Sequence, residues 1–231
     1  MIVPADEALQ RLREGNRRFV HDVLGPHQFL NQVRRAELPK VQEPLAIILG
    51  CSDARVPAEI IFDQGLGDLF VIRVAGNIVA PSQVGSVEFA AARFGTRLVV
   101  VLGHSYCGAI TATLEALRDP GAVQSQNLRS IVDRVRPSVT GVLENGANRR
   151  EEQIFRQAVR ANIRASADHL RSGSPLLEQL IEREGLLVVG AEYSLETGEV
   201  DFFDGVQKQR ERPRHRRPVR PVARAARART R

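Results

Sequence analysis

Leu98-Val-Val-Val-Leu-Gly-His104-Ser-Tyr-Cys107-Gly108 passes without a break from an unalternating aliphatic run into a histidine, a cysteine and a glycine. A strand with one wet face alternates polar and apolar residues, whereas a continuous apolar run suits a strand covered on both faces, as in a parallel sheet. Three further runs are of this kind: Leu45-Ala-Ile-Ile-Leu49, Leu69-Phe-Val-Ile72 and Leu186-Leu-Val-Val189. Helical patterns lie between them. Residues 82–94 place Val87, Ala91 and Phe94 at helical spacing before Gly95, and residues 153–170 do the same with Phe155, Val159, Ile163 and Leu170 before Gly173. Ser174-Pro175 supplies an N-cap and first turn for another helix. Residues 5–20, with Leu9, Leu12 and Phe19 or Val20 apolar, predict a short amphipathic helix. Glu199-Val-Asp-Phe-Phe203, after the turn residues Thr197-Gly198, predicts an antiparallel partner for the strand at 186–193. The expected fold is α/β, with a mainly parallel central sheet flanked by helices and an antiparallel edge strand.

Composition agrees with such a core. Of 231 residues, 43% are apolar and 26% charged, with nine Phe, two Tyr and no Trp, so the interior must be aliphatic. No run reaches the ~18 apolar residues needed to span a bilayer. The formal charge of +6 is unevenly placed. From Gln207 to Arg231 there are ten Arg and one Lys against one Glu, which leaves 22 basic and 26 acidic residues in the remainder. Residues 1–206 therefore read as one mildly acidic globular domain, and 207–231 as an Arg/Pro-rich tail that cannot bury enough apolar surface to order itself. The tail has no aromatic residues for base stacking. It reads as a solvated extension, with weak, salt-sensitive contact to polyanions as the sharper alternative and no specific nucleic-acid target.

Ligands of open α/β sheets bind outside the carboxyl ends of the strands. Two strand ends carry chemistry here, Gly50-Cys51-Ser52-Asp53-Ala54-Arg55 and Gly103-His104-Ser105-Tyr106-Cys107-Gly108, and they hold the only two cysteines of the chain. His104-x-x-Cys107 brings an imidazole and a thiol within reach of one metal, and Cys51 can add a third donor from a neighbouring strand. Two sulfurs and one nitrogen suit zinc and leave a fourth position for water, the arrangement of a catalytic site. The plainer reading makes both cysteines small buried hydrophobes and His104 an ordinary core or surface histidine. A helix after Cys107, expected over 109–117, favours its thiolate. Zinc with two thiolates and a neutral imidazole is formally neutral, so it acidifies water less than a three-imidazole site, where the pKa reaches about 7. An acceptor that orients the nucleophile would help. Asp53 stands two residues from Cys51, and Arg55 two further on can keep that carboxylate ionised and aimed; an ordinary loop ion pair is the alternative. Gly65-Leu-Gly67 precedes a strand and lacks a third glycine, so it is no dinucleotide fingerprint. His21, His27 and His169 have no ligating neighbours in sequence and read as surface residues.

Cys51-Ser-Asp53-Ala-Arg55, Arg73-Val-Ala-Gly76-Asn77 and Gly103-His104-Ser-Tyr-Cys107-Gly108 together resemble the signatures of the β-class carbonic anhydrases. The similarity extends through Gly15-Asn16, Ala161-Asn162-Ile-Arg-Ala-Ser166, Gly190-Ala-Glu-Tyr193 and Glu196-Thr-Gly198, covering roughly residues 5–204. The resemblance implies reversible hydration of CO2 to bicarbonate and a proton, by one Zn2+ per subunit on Cys51, His104 and Cys107. It implies a catalytic pair in Asp53 and Arg55, and substrate contacts from Gln42, Phe70, Phe89 and the Gly108 amide. Gln42 would act across a dimer interface, the minimum assembly being a homodimer and often a larger even oligomer. Members with an inhibitory bicarbonate site use a Trp with an Arg and a Tyr. Arg73 and Tyr193 match, but position 48 is Ile, so that site is not expected. Two other functions share the same residues: hydrolysis of CS2 or COS, and a non-catalytic zinc-stabilised bicarbonate sensor or scaffold. The residues Met1-Ile-Val-Pro-Ala-Asp-Glu lack the pattern of a secretory leader. With thiols needed as metal ligands, a cytoplasmic location is expected.

Overall fold

The computed structural model describes residues 2–23, 42–119, 121, 125–146 and 148–206. His27 and the basic segment 207–231 lie outside the described residues. The strands are Ala46–Gly50 (β1), Leu69–Arg73 (β2), Leu98–His104 (β3), Leu187–Tyr193 (β4) and Val200–Asp204 (β5). They form one sheet in the order β2-β1-β3-β4-β5. Its first four strands are parallel and β5 is antiparallel to β4, as the apolar runs and the turn at Thr197-Gly198 predict.

Every residue of β1 and β3 is buried, which is why these runs carry no polar alternation. The two-residue period of a strand sorts them into two cores. Ile47, Leu49, Val99 and Val101 face one helical layer. It is built from α3 (Pro81–Arg93), α4 (Gly108–Arg118), α5 (Gln126–Glu144), α6 (Glu151–Ser172) and α7 (Pro175–Glu184). Ile48, Val100, Leu102, Val189 and Ala191 face the other side, covered by α1 (Ala5–Val20) and the short α2 (Ala58–Ile61).

Helix α1 has 16 residues, and a helix in a protein owes most of its stability to the packing of its apolar face rather than to propensity. It is fastened by the buried Ala8 and Leu12 and by Asn16. The Asn16 amide donates to the Ile61 and Gly198 carbonyls at 3.2 and 2.8 Å and accepts the Val200 N–H at 2.8 Å, tying α1 to α2 and to the β4–β5 turn. The Ser174 hydroxyl caps α7 by accepting the Leu177 N–H at 3.2 Å. Sequence periodicity assigns no element to 126–144, yet α5 fills it, capped by Ser125 and burying Val132, Val135 and Val139. Its narrow valine stripe and the interior Pro137 hide the helical period.

In this strand order the chain leaves β1 toward β2 on one side and crosses to β3 on the other, so the topological switch lies between β1 and β3, where ligands of such sheets bind. Register brings the two ends level: Gly50 pairs with Leu102, so Cys51 emerges beside Gly103 and His104. Helix α6 presses against this strand end. A Cβ at Gly103 would lie 2.6 Å from Cδ1 and Cγ1 of the buried Ile163. Gly103→Ala is therefore expected to destabilise the fold by about 1–3 kcal/mol through overpacking, measured as a lowered midpoint in denaturant titration.

Candidate metal centre

Each donor residue stands where a strand stops. Cys51 follows β1, His104 is the last residue of β3, and Cys107 is the N-cap of α4. All three are buried, and their ligand atoms lie within 4.8 Å of one another. Two sulfurs bound at 2.3 Å at a tetrahedral angle would be about 3.8 Å apart, so the cluster is already close to the size that a shared ion requires. Nδ1 of His104 is 2.8 Å from the Ser105 carbonyl. A carbonyl only accepts, so Nδ1 carries the proton and Nε2 offers its lone pair. That Nε2 is buried and has no hydrogen-bond partner, a state that costs free energy unless a ligand satisfies it. The thiols show the same incompleteness. Hydrogen bonding from the Cys107 thiol, assisted by the Gly76 and Asp53 backbone, holds Cys51 well below the usual thiol range against the opposing effect of burial. The Cys51 sulfur and burial push Cys107 up. Two sulfurs sharing a proton beside a free imidazole lone pair form a donor set that fits a thiophilic divalent ion.

The backbone around the donors is held tightly. The guanidinium of Arg73 donates to the Cys51 carbonyl at 3.1 Å and the Asp53 carbonyl at 2.6 Å. Gly76 N–H points at Cys51 Sγ at 3.4 Å. Gly76 has φ +70°, and a Cβ there would meet Ala109 Cβ at 2.9 Å, so only glycine suits the 3-10 turn Ala75–Asn77. Two buried residues of α6 fasten that turn, Asn162 to the Gly76 carbonyl at 2.8 Å and Ser166 to the Asn77 carbonyl at 3.0 Å. Between His104 and Cys107 the chain reverses through Tyr106 at φ +56°. A bulky residue in this region costs about 1–3 kcal/mol and persists where its surroundings enforce it.

Asp53 and Arg55 form a forked ion pair: Nε to Oδ1 at 2.9 Å and Nη2 to Oδ2 at 2.7 Å, with the Arg55 N–H also on Oδ1 at 3.0 Å. These bonds hold the Asp53 carboxyl far below the usual carboxylate range. Asp53 Oδ2 lies 3.8 Å from His104 Nε2, so the carboxylate borders the donor trio.

The structure brings Cys51, Asp53, Arg55, His104 and Cys107 together at one sheet end. Gly108 begins α4 beside Cys107 with open space above its Cα. Phe70 and Phe89 meet each other, ring centroids 6.2 Å apart, in a cluster with Phe94. Phe89 is 54% exposed. Phe70 is level with Ile47, four residues before Cys51 and roughly 13 Å from it along the strand. Gln42 is exposed ahead of β1. Ile48 and Tyr193 are buried in the α1-side core, while Arg73 grips the Cys51 loop. His21 and His169 are exposed. Gly65-Leu-Gly67 is a turn leading into β2, with Gly67 at φ +85°. Sequence reading gave Arg73, Asn162 and Ser166 no part in the donor site; their role depends on partners 20 to 89 residues away.

Residues 46–200 match the family model for carbonic anhydrase. The chain is 40% identical over 196 residues to the carbonic anhydrase of Mycolicibacterium smegmatis, covering 84% of this chain and 91% of that one. It is 39% identical over 201 residues to carbonic anhydrase 2 of Mycobacterium tuberculosis, covering 86% and 93%. Among solved structures, the β-carbonic anhydrase CcaA aligns with a TM-score of 0.66 at 28% identity over 87% of this chain and 93% of that chain. The β-carbonic anhydrase CafA of Aspergillus fumigatus shares the fold, with a TM-score of 0.68 at 23% identity over 78% and 86%.

The ion pair has a directional pH consequence. Because the folded-state pKa of Asp53 is depressed, the stability it contributes is present above the unfolded value of about 3.9 and is lost only as pH falls through the lower folded value. In Arg55→Ala the Asp53 carboxyl is expected to titrate higher, toward that ordinary value, whereas in the wild type its carbon-13 shift stays flat from pH 7 to about 4.

Proposed function

Because the chain belongs to the carbonic anhydrase family, in its β class, we propose that it hydrates CO2 reversibly to bicarbonate and a proton on a zinc centre held by Cys51, His104 and Cys107. The observation that carries this reading is the buried S, S, N donor trio with the unpartnered His104 Nε2. Zinc in such a three-ligand site supplies Lewis-acid activation of water near neutral pH. The relatives named carbonic anhydrase favour hydration of CO2 over hydrolysis of CS2 or COS and over the sensor.

The chain's own residues then have distinct tasks. Asp53 is held so far toward its ionised form by Arg55 that it is a poor proton abstractor. Its task is to accept a hydrogen bond from the attacking oxygen and aim a lone pair at the carbon of CO2. Arg55 keeps that carboxylate ionised and turned to the donors. The Gly108 N–H, at the first turn of α4, has no intrahelical acceptor and offers a donor to the bicarbonate anion at the positive end of the helix. Gln42, Phe70 and Phe89 serve the substrate pocket in this reading. With Phe70 roughly 13 Å from Cys51 in its own protomer, a pocket that uses these rings is completed by a second copy, so the working unit is a homodimer or a larger even oligomer. Both cysteines act as reduced metal ligands, which suits the cytoplasm.

Cys107→Ala is expected to lose zinc, since two protein ligands rarely hold it, as read by metal analysis after dialysis. Asp53→Ala is expected to keep one zinc per chain while kcat/KM for CO2 hydration falls by about 10–100-fold or more in stopped-flow assay. Full activity in Asp53→Ala would remove that residue from the mechanism. Zinc-replete wild-type protein without hydration activity would reject the functional reading.

A further inference from the structure

Glu196 lies in the turn between β4 and β5, 89 residues beyond Cys107 in sequence. It nevertheless closes a ring of bonds around the two residues that separate His104 from Cys107. Its Oε2 accepts the Ser105 hydroxyl at 2.9 Å and the Ser194 hydroxyl at 3.0 Å. The Tyr106 phenol lies near enough to this carboxylate to favour its ionised form. The Ser105 hydroxyl accepts the Leu195 N–H at 2.9 Å, and the Ser105 N–H donates to the Tyr193 carbonyl at 3.0 Å. With its carbonyl on His104 Nδ1, each polar group of Ser105 is engaged.

We propose that Glu196 is a positioning residue for the metal centre: by gripping Ser105, next to the left-handed Tyr106, it sets the aim of His104 Nε2 and the placement of Cys107 Sγ. The proposal rests on the zinc reading above. Two routes lead from the carboxylate to the donors. The orientation of the His104 ring follows the Ser105 carbonyl, the acceptor for its other nitrogen; such outer bonds fix the ring and tune metal affinity. The position of Cys107 follows the backbone of Tyr106, whose φ of +56° decides where the chain re-enters as α4. Tyr106 is 56% exposed, so burial does not hold it there. What holds it is its stacking on Phe155, ring centroids 6.4 Å apart, the Arg55 guanidinium donating to its carbonyl at 3.3 Å, and the grip of Glu196 on the adjacent Ser105. A carboxylate suits this post because its charge strengthens both hydroxyl bonds on Oε2, whereas a carboxamide oxygen would accept them only as neutral bonds. Ser105, Tyr106 and Glu196 line an open cleft of about 1060 Å3, so substitution at 196 removes no core contact.

The test uses the full-length zinc protein and the variants Glu196→Ala, Glu196→Gln and Ser105→Ala. Zinc release to a chromophoric chelator is followed in each, with the absorption spectrum of the cobalt-substituted form as a second readout. Both Glu196 variants are expected to release zinc at least about tenfold faster, with shifted thiolate-to-cobalt bands and a metal-free melting temperature within about 2 °C of wild type. Ser105→Ala, which removes the hydroxyl that Glu196 holds, is expected to release zinc as fast as they do; if the Glu196 variants do not fold, it decides the matter alone. Release rates within about twofold of wild type overturn the proposal. So does a metal-free protein destabilised as much as the zinc form, because that marks a structural role only. Wild-type protein that holds no zinc overturns the zinc reading, and the proposal with it.

Discussion

Three donor atoms from two separate strand ends must lie within a few ångströms of one point, and parallel register between β1 and β3 is what makes this possible. Gly50 pairs with Leu102, so Cys51 and His104 leave the sheet at nearly the same height. A one-residue slip would turn every side chain of β1 to the opposite face. Register is fixed by the two aliphatic cores, since Ile47 and Leu49 belong to one and Ile48 to the other. The hydrophobic effect, which has no direction of its own, thus sets the geometry of a site that contains little apolar surface.

Around that frame, charge is placed so that each donor presents its lone pair without an unbound charge being buried. Cys51 receives the Cys107 thiol and the Gly76 N–H, His104 directs its proton to a carbonyl, and Asp53 is neutralised by a fork from Arg55. Arg55 is itself largely exposed, which avoids the desolvation penalty of a fully buried pair. Arg73 satisfies the carbonyls of the loop bearing Cys51 and Asp53, where a chain leaving a strand has no ladder partner. The centre is therefore preorganised by hydrogen bonds to backbone as much as by the donor side chains.

The parts legible in the sequence are those written in local pattern. Unbroken apolar runs mark β1, β2, β3 and β4, and Thr197-Gly198 marks the turn into β5 because Gly198 takes a positive φ there. His104-x-x-Cys107 and Cys51 read as a donor set because few residue types bind a thiophilic ion. Helix α5 is less legible: one valine stripe and an interior proline give a weak period. Asn162, Ser166 and Arg73 carry ordinary side chains whose meaning depends on partners brought close only by the folded sheet. Asn162 donates to a carbonyl 86 residues away. The strain at Tyr106 is invisible in the sequence, since nothing about a tyrosine announces a left-handed backbone.

The most direct test of this account is X-ray absorption at the zinc edge on the purified wild-type protein. Two sulfur neighbours at about 2.3 Å and two lighter neighbours at about 2.0–2.1 Å are predicted, from Cys51, Cys107, His104 and one further non-sulfur ligand. A shell of four sulfurs, a shell without sulfur, or protein that carries no zinc would contradict it.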